Sequence, residues 1–123
     1  MADHFDELEI RDPEQRESEL MAALPGQVAL AKTNSSFFGK LYADIDPMAI
    51  NTREALRQLP VIRKPDVQDA QNAEPPFGGL NAVPVGDMAH VYMSPGPIFE
   101  PDGAQRDHWR YARALYAAGF RRG

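Results

Sequence analysis

Prolines constrain this sequence more than any other residue type, because they recur along most of its length. The chain has 11 prolines among 123 residues, which is about twice the usual share of a globular protein. Proline has no backbone N–H, and its ring clashes with the preceding helical turn, so it ends or bends helices and weakens strands. We therefore expect short, often interrupted elements within one domain or a part of one.

Charge and composition argue against several classes of function. The formal net charge is -5, which argues against nucleic acids or anionic membranes as the main partner. The chain has no cysteine, as expected for a reducing compartment. The N-terminus is acidic, unlike a signal peptide, and no apolar run approaches the ~20 residues of a membrane helix. We predict a cytoplasmic protein that binds neither nucleic acid nor membrane.

The two ends of the chain carry opposite charge. Residues 1–12 form an acidic arm, whereas arginines are concentrated after residue 105. Ends of opposite charge attract each other, and they could meet within the fold or between subunits. Solvation of both ends is the simpler interpretation.

Residues 13–73 carry the signals of several short helices. Asp12 followed by Pro13 is typical of a capped helix start. Pro25-Gly26 is expected to break or kink that helix, with a second helix over residues 27–32. Further short helices are predicted to start near Phe37, Asn51 and Lys64.

The second half of the chain has a different character. Residues 74–87 are a Pro/Gly-rich loop, which Phe77 should keep packed. Residues 88–93 alternate weakly and predict a strand. Residues 103–119 have apolar side chains at helical spacing and predict a helix with Gly119 as its C-cap. The predicted fold class is mainly α with one or two short strands.

Four segments follow one another in a distinctive order: Asn34-Ser35-Ser36-Phe37-Phe38, Thr52-Arg53-Glu54-Ala55-Leu56-Arg57-Gln58-Leu59-Pro60, Lys64-Pro65-Asp66-Val67 and Pro76-Phe77-Gly78-Gly79-Leu80. This order resembles the phenylacetate-CoA ligases of the adenylate-forming (AMP-binding) superfamily. That family carries an Asn-x-Pro-Phe-Tyr segment, a Leu-x-x-Leu-Pro-x-x-x-Lys-x-Asp-Leu segment and a Pro-Phe-Gly turn. The resemblance covers roughly residues 14–122 and implies the N-terminal piece of a larger α/β adenylate-forming domain.

The resemblance implies a reaction for a full-length parent. An aromatic or other small carboxylic acid would be activated by ATP to its adenylate and then transferred to coenzyme A. ATP with Mg and CoA would be the cofactors of that parent. The family's adenine-binding segment, ribose-binding Asp, hinge and catalytic Lys would all follow residue 123. We therefore predict no catalytic residue, no metal site and no cofactor for this chain alone.

The family's phosphate loop, Ser-Ser-Gly-Thr-Thr-Gly-Lys-Pro, corresponds to residues 94–101. Ser94 and Gly96 match its first and third positions, whereas Glu100 stands in place of the Lys. These three residues are our candidate cofactor-binding positions. Residues 88–101 are accordingly interpreted as a strand and a degenerate phosphate loop, with a helix following.

The residues that differ from the family pattern remove the N–H donors and the positive charge that bind a phosphate group. Pro95 and Pro97 offer no N–H donor, and Phe99 does not readily adopt the backbone shapes open to Gly. At ~4 Å and an effective dielectric of ~20, a pair of unit charges is worth about 4 kcal/mol, so the reversed charge of Glu100 is a large penalty. We predict poor binding of ATP phosphates, and a merely structural proline-rich turn is the alternative.

Two functional hypotheses result. The first is the N-terminal fragment of a phenylacetate-CoA ligase-like enzyme, inactive by itself. The second is a non-catalytic, self-associating interaction or regulatory module. A piece of a larger sheet would expose strand edges and apolar faces, so we expect a homo-oligomer of the fragment, in the simplest case a dimer.

Overall fold

The computed structural model describes residues 3–122; Met1 and Ala2 of the predicted arm, and Gly123, lie outside the described residues. Within that range the fold is mostly helical, with two strands in one antiparallel sheet, and the predicted fold class is confirmed. The elements in order are α1 (Pro13–Asn34), α2 (Ser36–Leu41), a 3-10 helix (Pro47–Ala49), α3 (Arg53–Arg57), α4 (Lys64–Ala73), a second 3-10 helix (Val85–Asp87), β1 (Met88–Met93), β2 (Phe99–Gly103) and α5 (Ala112–Ala117).

Polar side chains begin the helices where the sequence predicts them. Asp12 Oδ1 accepts hydrogen bonds from the N–H groups of Glu14 at 2.9 Å and Gln15 at 3.1 Å. Ser35 caps α2 and Thr52 caps α3 in the same way. These caps satisfy backbone donors that a helix start leaves unpaired.

The predicted interruption of the first helix is wrong. α1 continues through Pro25-Gly26 to Asn34, so residues 27–32 are not a separate helix. A proline inside a helix removes one backbone hydrogen bond. Pro25 and Val28 are both buried, so the packing of this stretch offsets that loss. No helix within residues 3–122, α1 included, is long and apolar enough to cross a membrane.

The helical core lies where α1, α2 and the following turn meet. Its buried members are Val28, Tyr42 and Ile50. Phe38 packs against Tyr42 with ring centroids 5.3 Å apart. The partly buried residues around this cluster are Ala31, Phe38, Leu41, Ile45, Ala55 and Leu59.

The turn after α4 is firmly packed, as predicted. Phe77 is only 4% exposed. The Gly78 N–H donates to the Glu74 carbonyl at 2.7 Å. The Gly79 carbonyl accepts from the Ser35 hydroxyl at 2.7 Å and from the Phe37 N–H at 3.1 Å. This turn therefore connects the helical core to the second half of the chain.

The helix predicted over residues 103–119 is much shorter in the structure. Only Ala112–Ala117 of this stretch is helical, and residues 104–111 are bends, turns and irregular backbone. Asp107 and Arg110 both have φ of 56°, which a right-handed helix does not allow. The Arg110 N–H donates to the Asp107 carbonyl at 2.8 Å, and the Ala112 N–H donates to Asp107 Oδ1 at 3.1 Å. Local bonds of Asp107 thus compete successfully with the helix.

The acidic arm contacts α5, so the interpretation of both ends as solvated is wrong at this point. The Arg113 guanidinium donates to Asp6 Oδ2 at 2.7 Å. These hydrogen bonds lower the pKa of the Asp6 carboxyl. The Phe5 ring meets the edge of Tyr116 with centroids 5.8 Å apart. The oppositely charged ends therefore meet within one chain.

The packed turn generates a stability prediction. Gly78 has φ of 64°, and a Cβ at this position would lie 2.5 Å from the Ala70 carbonyl carbon. Gly78→Ala should lower the free energy of unfolding by roughly 2 kcal/mol or more, because it adds backbone strain and a clash with backbone atoms.

Gly26→Ala is the matched control, since nothing lies within 4 Å of a Cβ there. It should raise the free energy of unfolding by about 0.5–1 kcal/mol, as alanine favours a helix interior over glycine. Urea unfolding followed by circular dichroism measures both variants. Equal stability of the two would contradict the packing described for the turn.

Candidate functional site

The predicted phosphate loop, residues 94–101, forms the turn of a β-hairpin and the start of its second strand. β1 and β2 are antiparallel, with Tyr92 opposite Glu100 and Met93 opposite Phe99. A second strand, and not the expected helix, therefore follows the turn of residues 94–98. The Ser94 N–H donates to the Ile98 carbonyl at 2.9 Å. The Ile98 N–H donates to Ser94 Oγ at 3.2 Å, so the turn closes on its own hydrogen bonds.

These internal bonds use most of the donors that the turn offers. Pro95 and Pro97 have no N–H. The N–H groups of Ser94 and Ile98 are occupied within the turn. Of the backbone donors in residues 94–98, only the Gly96 N–H has no hydrogen-bond partner among residues 3–122.

Two glutamines of α4 hold the hairpin in place. Gln71 is 7% exposed. Its Nε2 donates to the Phe99 carbonyl at 2.9 Å, and its Oε1 accepts from the Phe99 N–H at 2.9 Å. Gln68 Nε2 donates to the Gly96 carbonyl at 2.7 Å. α4 therefore fixes both the turn and the start of β2.

Sequence reasoning missed both glutamines, although a signal was present. Gln68 and Gln71 are three residues apart, so they share one face of a helix. Val67 and Ala70 lie next to them and are partly buried. Amides among such apolar neighbours need hydrogen-bond partners, and the proline-rich hairpin has backbone groups to supply them.

Lys64 brings a positive charge to the turn. A Cβ on Gly96 would lie 3.0 Å from Lys64 Nζ and 3.1 Å from its Cε. The ammonium group therefore lies against the bare backbone of Gly96, a position that a larger residue would fill. This cation comes from the start of α4 and not from position 100, where the family pattern has its Lys.

The structure places the three candidate residues in two groups. Ser94 and Gly96 are both in the hairpin turn, whereas Glu100 lies on β2. Glu100 also lines a cavity of about 370 Å³ that includes the buried Phe77 and Ile98 and the exposed Trp109. The carboxylate is therefore a charge at the edge of an apolar cavity.

A polar pair crosses the hairpin near its base. His90 Nδ1 and Asp102 Oδ2 are 3.1 Å apart. Asp102 Oδ1 is buried without a hydrogen-bond partner among residues 3–122. In that same range, no three His, Asp or Glu side chains are grouped closely enough to hold a metal ion. The pair joins the two strands through their side chains.

Comparison with known proteins gives matches to solved structures. No protein-family model and no curated protein matches the sequence. A 2-hydroxyisobutyryl-CoA ligase in the postadenylation state with 2-HIB-AMP matches over 90% of this chain, with a TM-score of 0.77 and 26% identity. The same ligase with 2-HIB-AMP and CoA in the thioesterification state matches over 91%, with a TM-score of 0.76 and 24% identity.

This chain has the fold of the N-terminal part of an adenylate-forming ligase. It spans about a quarter of the length of the ligase it matches, 25% and 26% in the two structures. The general resemblance to acyl-CoA ligases is thereby confirmed. The finer assignment to phenylacetate-CoA ligases stays a prediction.

The glutamine contacts predict a graded loss of stability. Gln71→Leu should lower the free energy of unfolding by about 2 kcal/mol, because it leaves both backbone groups of Phe99 without partners. Gln68→Leu, the matched control on the same helix face, removes one hydrogen bond and should cost about 1 kcal/mol.

Urea unfolding gives the two free energies, and amide hydrogen exchange at Phe99 gives the local effect. Exchange at Phe99 should become faster in Gln71→Leu and stay unchanged in Gln68→Leu. Equal exchange at Phe99 in both variants would show that the hairpin is held by other contacts.

Proposed function

We propose that this chain is the N-terminal portion of a phenylacetate-CoA ligase-like enzyme. Its parent would activate an aromatic or other small carboxylic acid with ATP and pass the acyl group to CoA. The observation that carries this proposal is the match to 2-hydroxyisobutyryl-CoA ligase over 90% of the chain at a TM-score of 0.77. The ordered segments of the sequence support the narrower family.

By itself the chain is inactive in this proposal. It spans 25% of the ligase it matches, so the residues that would complete an adenylation site lie elsewhere. Those residues would bind ATP, Mg and CoA in the parent enzyme. This chain contributes a packed helical N-terminal body and a hairpin turn.

The turn does not fit a triphosphate, and we derive no step through one. Phosphate groups in proteins are surrounded by backbone N–H donors and cations. Only the Gly96 N–H is left among the backbone donors of residues 94–98, and Lys64 is the cation beside it. The carboxylate of Glu100, which lies on β2, would repel a phosphate group bound at the turn. We therefore propose that Ser94, Gly96 and Glu100 are the positions of a phosphate loop that binds nucleotide poorly.

Calorimetry with ATP-Mg tests the charge at position 100. The unmodified chain should give no detectable heat of binding, whereas Glu100→Lys should bind weakly, because the new ammonium attracts phosphate. Asp44→Lys makes the same charge change at another exposed position and should not bind.

Micromolar binding to the unmodified chain would contradict the proposed poor fit. Identical behaviour of Glu100→Lys and Asp44→Lys would show that the turn is not the relevant position. Circular dichroism of each variant confirms that the fold is intact before titration.

The enzymatic proposal is tested on the native protein from its source. Peptide mapping by mass spectrometry should find several hundred residues after Gly123 in the same polypeptide. That polypeptide should catalyse acid-dependent exchange of pyrophosphate into ATP with at least one small carboxylic acid. A native polypeptide that stops at Gly123 would end the enzyme proposal and favour an interaction module.

A specific observation favours the second candidate, a self-associating module. The sheet has only two strands among the described residues. The outer edge of β1 has no neighbouring strand there, whereas Gln71 covers the outer edge of β2 at Phe99. Tyr92 is 50% and Met93 64% exposed on β1. Unpaired edges with apolar side chains pair with further strands. The occupant we propose is the same edge of a second copy.

Size-exclusion chromatography with light scattering measures this association. The unmodified chain should form dimers or larger oligomers at high concentration. Met93→Lys should shift it towards monomer, because a charge on an edge strand opposes pairing. Val61→Lys, at an 81% exposed position outside both strands, should leave the association unchanged. A monomer at high concentration would contradict the proposal.

A further inference from the structure

A cavity of about 700 Å³ lies between the acidic arm and the C-terminal segment. We call it the arm cavity. None of its lining residues belongs to β1, β2 or the turn between them, so it is separate from the proposed phosphate-loop position. Its apolar walls are Phe5, Leu115, Tyr116 and Phe120, and its charged lining residues are Arg106, Asp107, Arg121 and Arg122.

The lining of the arm cavity is positively charged, whereas the chain as a whole is negatively charged. Three guanidinium groups and one carboxylate line it, although the chain has a net charge of -5. Asp107 Oδ1 already accepts a hydrogen bond from the Ala112 N–H at 3.1 Å. Arg106 and Arg122 make no hydrogen bond or ion pair with any residue from 3 to 122. Arg106 and Arg122 therefore repel each other and attract an anion.

The walls of the arm cavity are held in place. The ion pair of Asp6 with Arg113, at 2.7 Å, fixes the arm beside α5. The Arg121 guanidinium lies 3.6 Å from the centroid of the Tyr116 ring. It also donates to the carbonyls of Tyr116 at 2.7 Å and Phe120 at 2.8 Å. The arm and the Arg121 side chain therefore need no further ordering when a ligand enters, which lowers the entropic cost of binding.

We propose that the arm cavity binds a small organic carboxylate with an aromatic or branched apolar body. The carboxylate pairs with the guanidinium groups of Arg106 and Arg122, since the parallel N–H donors of a guanidinium group match the two oxygens of a carboxylate. The body packs between Phe5, Leu115 and Phe120. An organic carboxylate suits the site better than inorganic phosphate, because phosphate has no apolar body to pack against these walls. This proposal does not depend on the ligase assignment.

The probe is 2-naphthoate, titrated into the 123-residue chain and followed by NMR of the amide groups. Saturable shifts are expected at Leu115 and Phe120. Naphthylmethanol has the same body without the charge, and inorganic phosphate has a charge without the body. Both should bind at least roughly tenfold more weakly than 2-naphthoate, since each lacks one of the two contributions.

Paired variants locate the binding. Arg106→Gln with Arg122→Gln should weaken 2-naphthoate roughly tenfold or more, which corresponds to the loss of charged hydrogen bonds. Arg57→Gln, on the exposed surface of α3, is the matched control and should leave the affinity unchanged. Circular dichroism checks that each variant is folded.

Three results would overturn the proposal. The first is the absence of saturable shifts with 2-naphthoate. The second is equal affinity for naphthylmethanol or for inorganic phosphate. The third is an unchanged affinity in the folded double variant, or an equal loss in Arg57→Gln. Failure of nucleotide binding at the hairpin has no bearing on these results.

Discussion

The position of the hairpin depends on one buried amide. Gln71 bonds both the N–H and the carbonyl of Phe99, each at 2.9 Å. In a sheet, a neighbouring strand would satisfy those two groups. Here a helix side chain does so, and it anchors a two-stranded sheet that would be marginal alone. α4 is followed by the packed turn around Phe77, and that turn is bonded to Ser35 at the start of α2. A continuous set of contacts thus connects the hairpin to the helical core.

The same contacts explain why the hairpin turn is poor in donors. The N–H groups of Ser94 and Ile98 are bonded within the turn, and Pro95 and Pro97 have none, so only the Gly96 N–H is left. The Gly96 carbonyl is bonded to Gln68. Lys64 adds a cation beside Gly96 while Glu100 adds an anion on β2. A fold shared with an adenylate-forming ligase is therefore combined with a turn that is stabilised internally. Such a turn can keep its shape without a ligand.

Features set by neighbouring residues were predictable from sequence. The cap at Asp12 depends on a side chain and the next few N–H groups, so the pattern suffices. The continuation of α1 through Pro25 depends on burial against other elements, which the sequence does not display. The loss of helix near Asp107 depends on a side-chain bond that competes with the helix. Gln71 was missed because its partner, Phe99, lies 28 residues further along.

In the candidate site too, local features were predictable from the sequence and long-range contacts were not. The resemblance located the turn and its altered residues, Ser94, Gly96 and Glu100. It did not indicate that a second strand would follow or that Lys64 would lie beside Gly96, since both depend on how α4 packs on the hairpin. Contact within one chain, as between Asp6 and Arg113, was one of three interpretations of the opposite charge at the two ends. Long-range contacts of this kind decide which interpretation holds.

Amide hydrogen exchange, measured with and without ATP-Mg, tests the central claim that the turn is bonded to itself and to α4. The amides of Ile98 and Phe99 should be protected, and the Gly96 amide should exchange quickly, in both conditions. Rapid exchange at Phe99, or protection of Gly96 on addition of ATP-Mg, would contradict it.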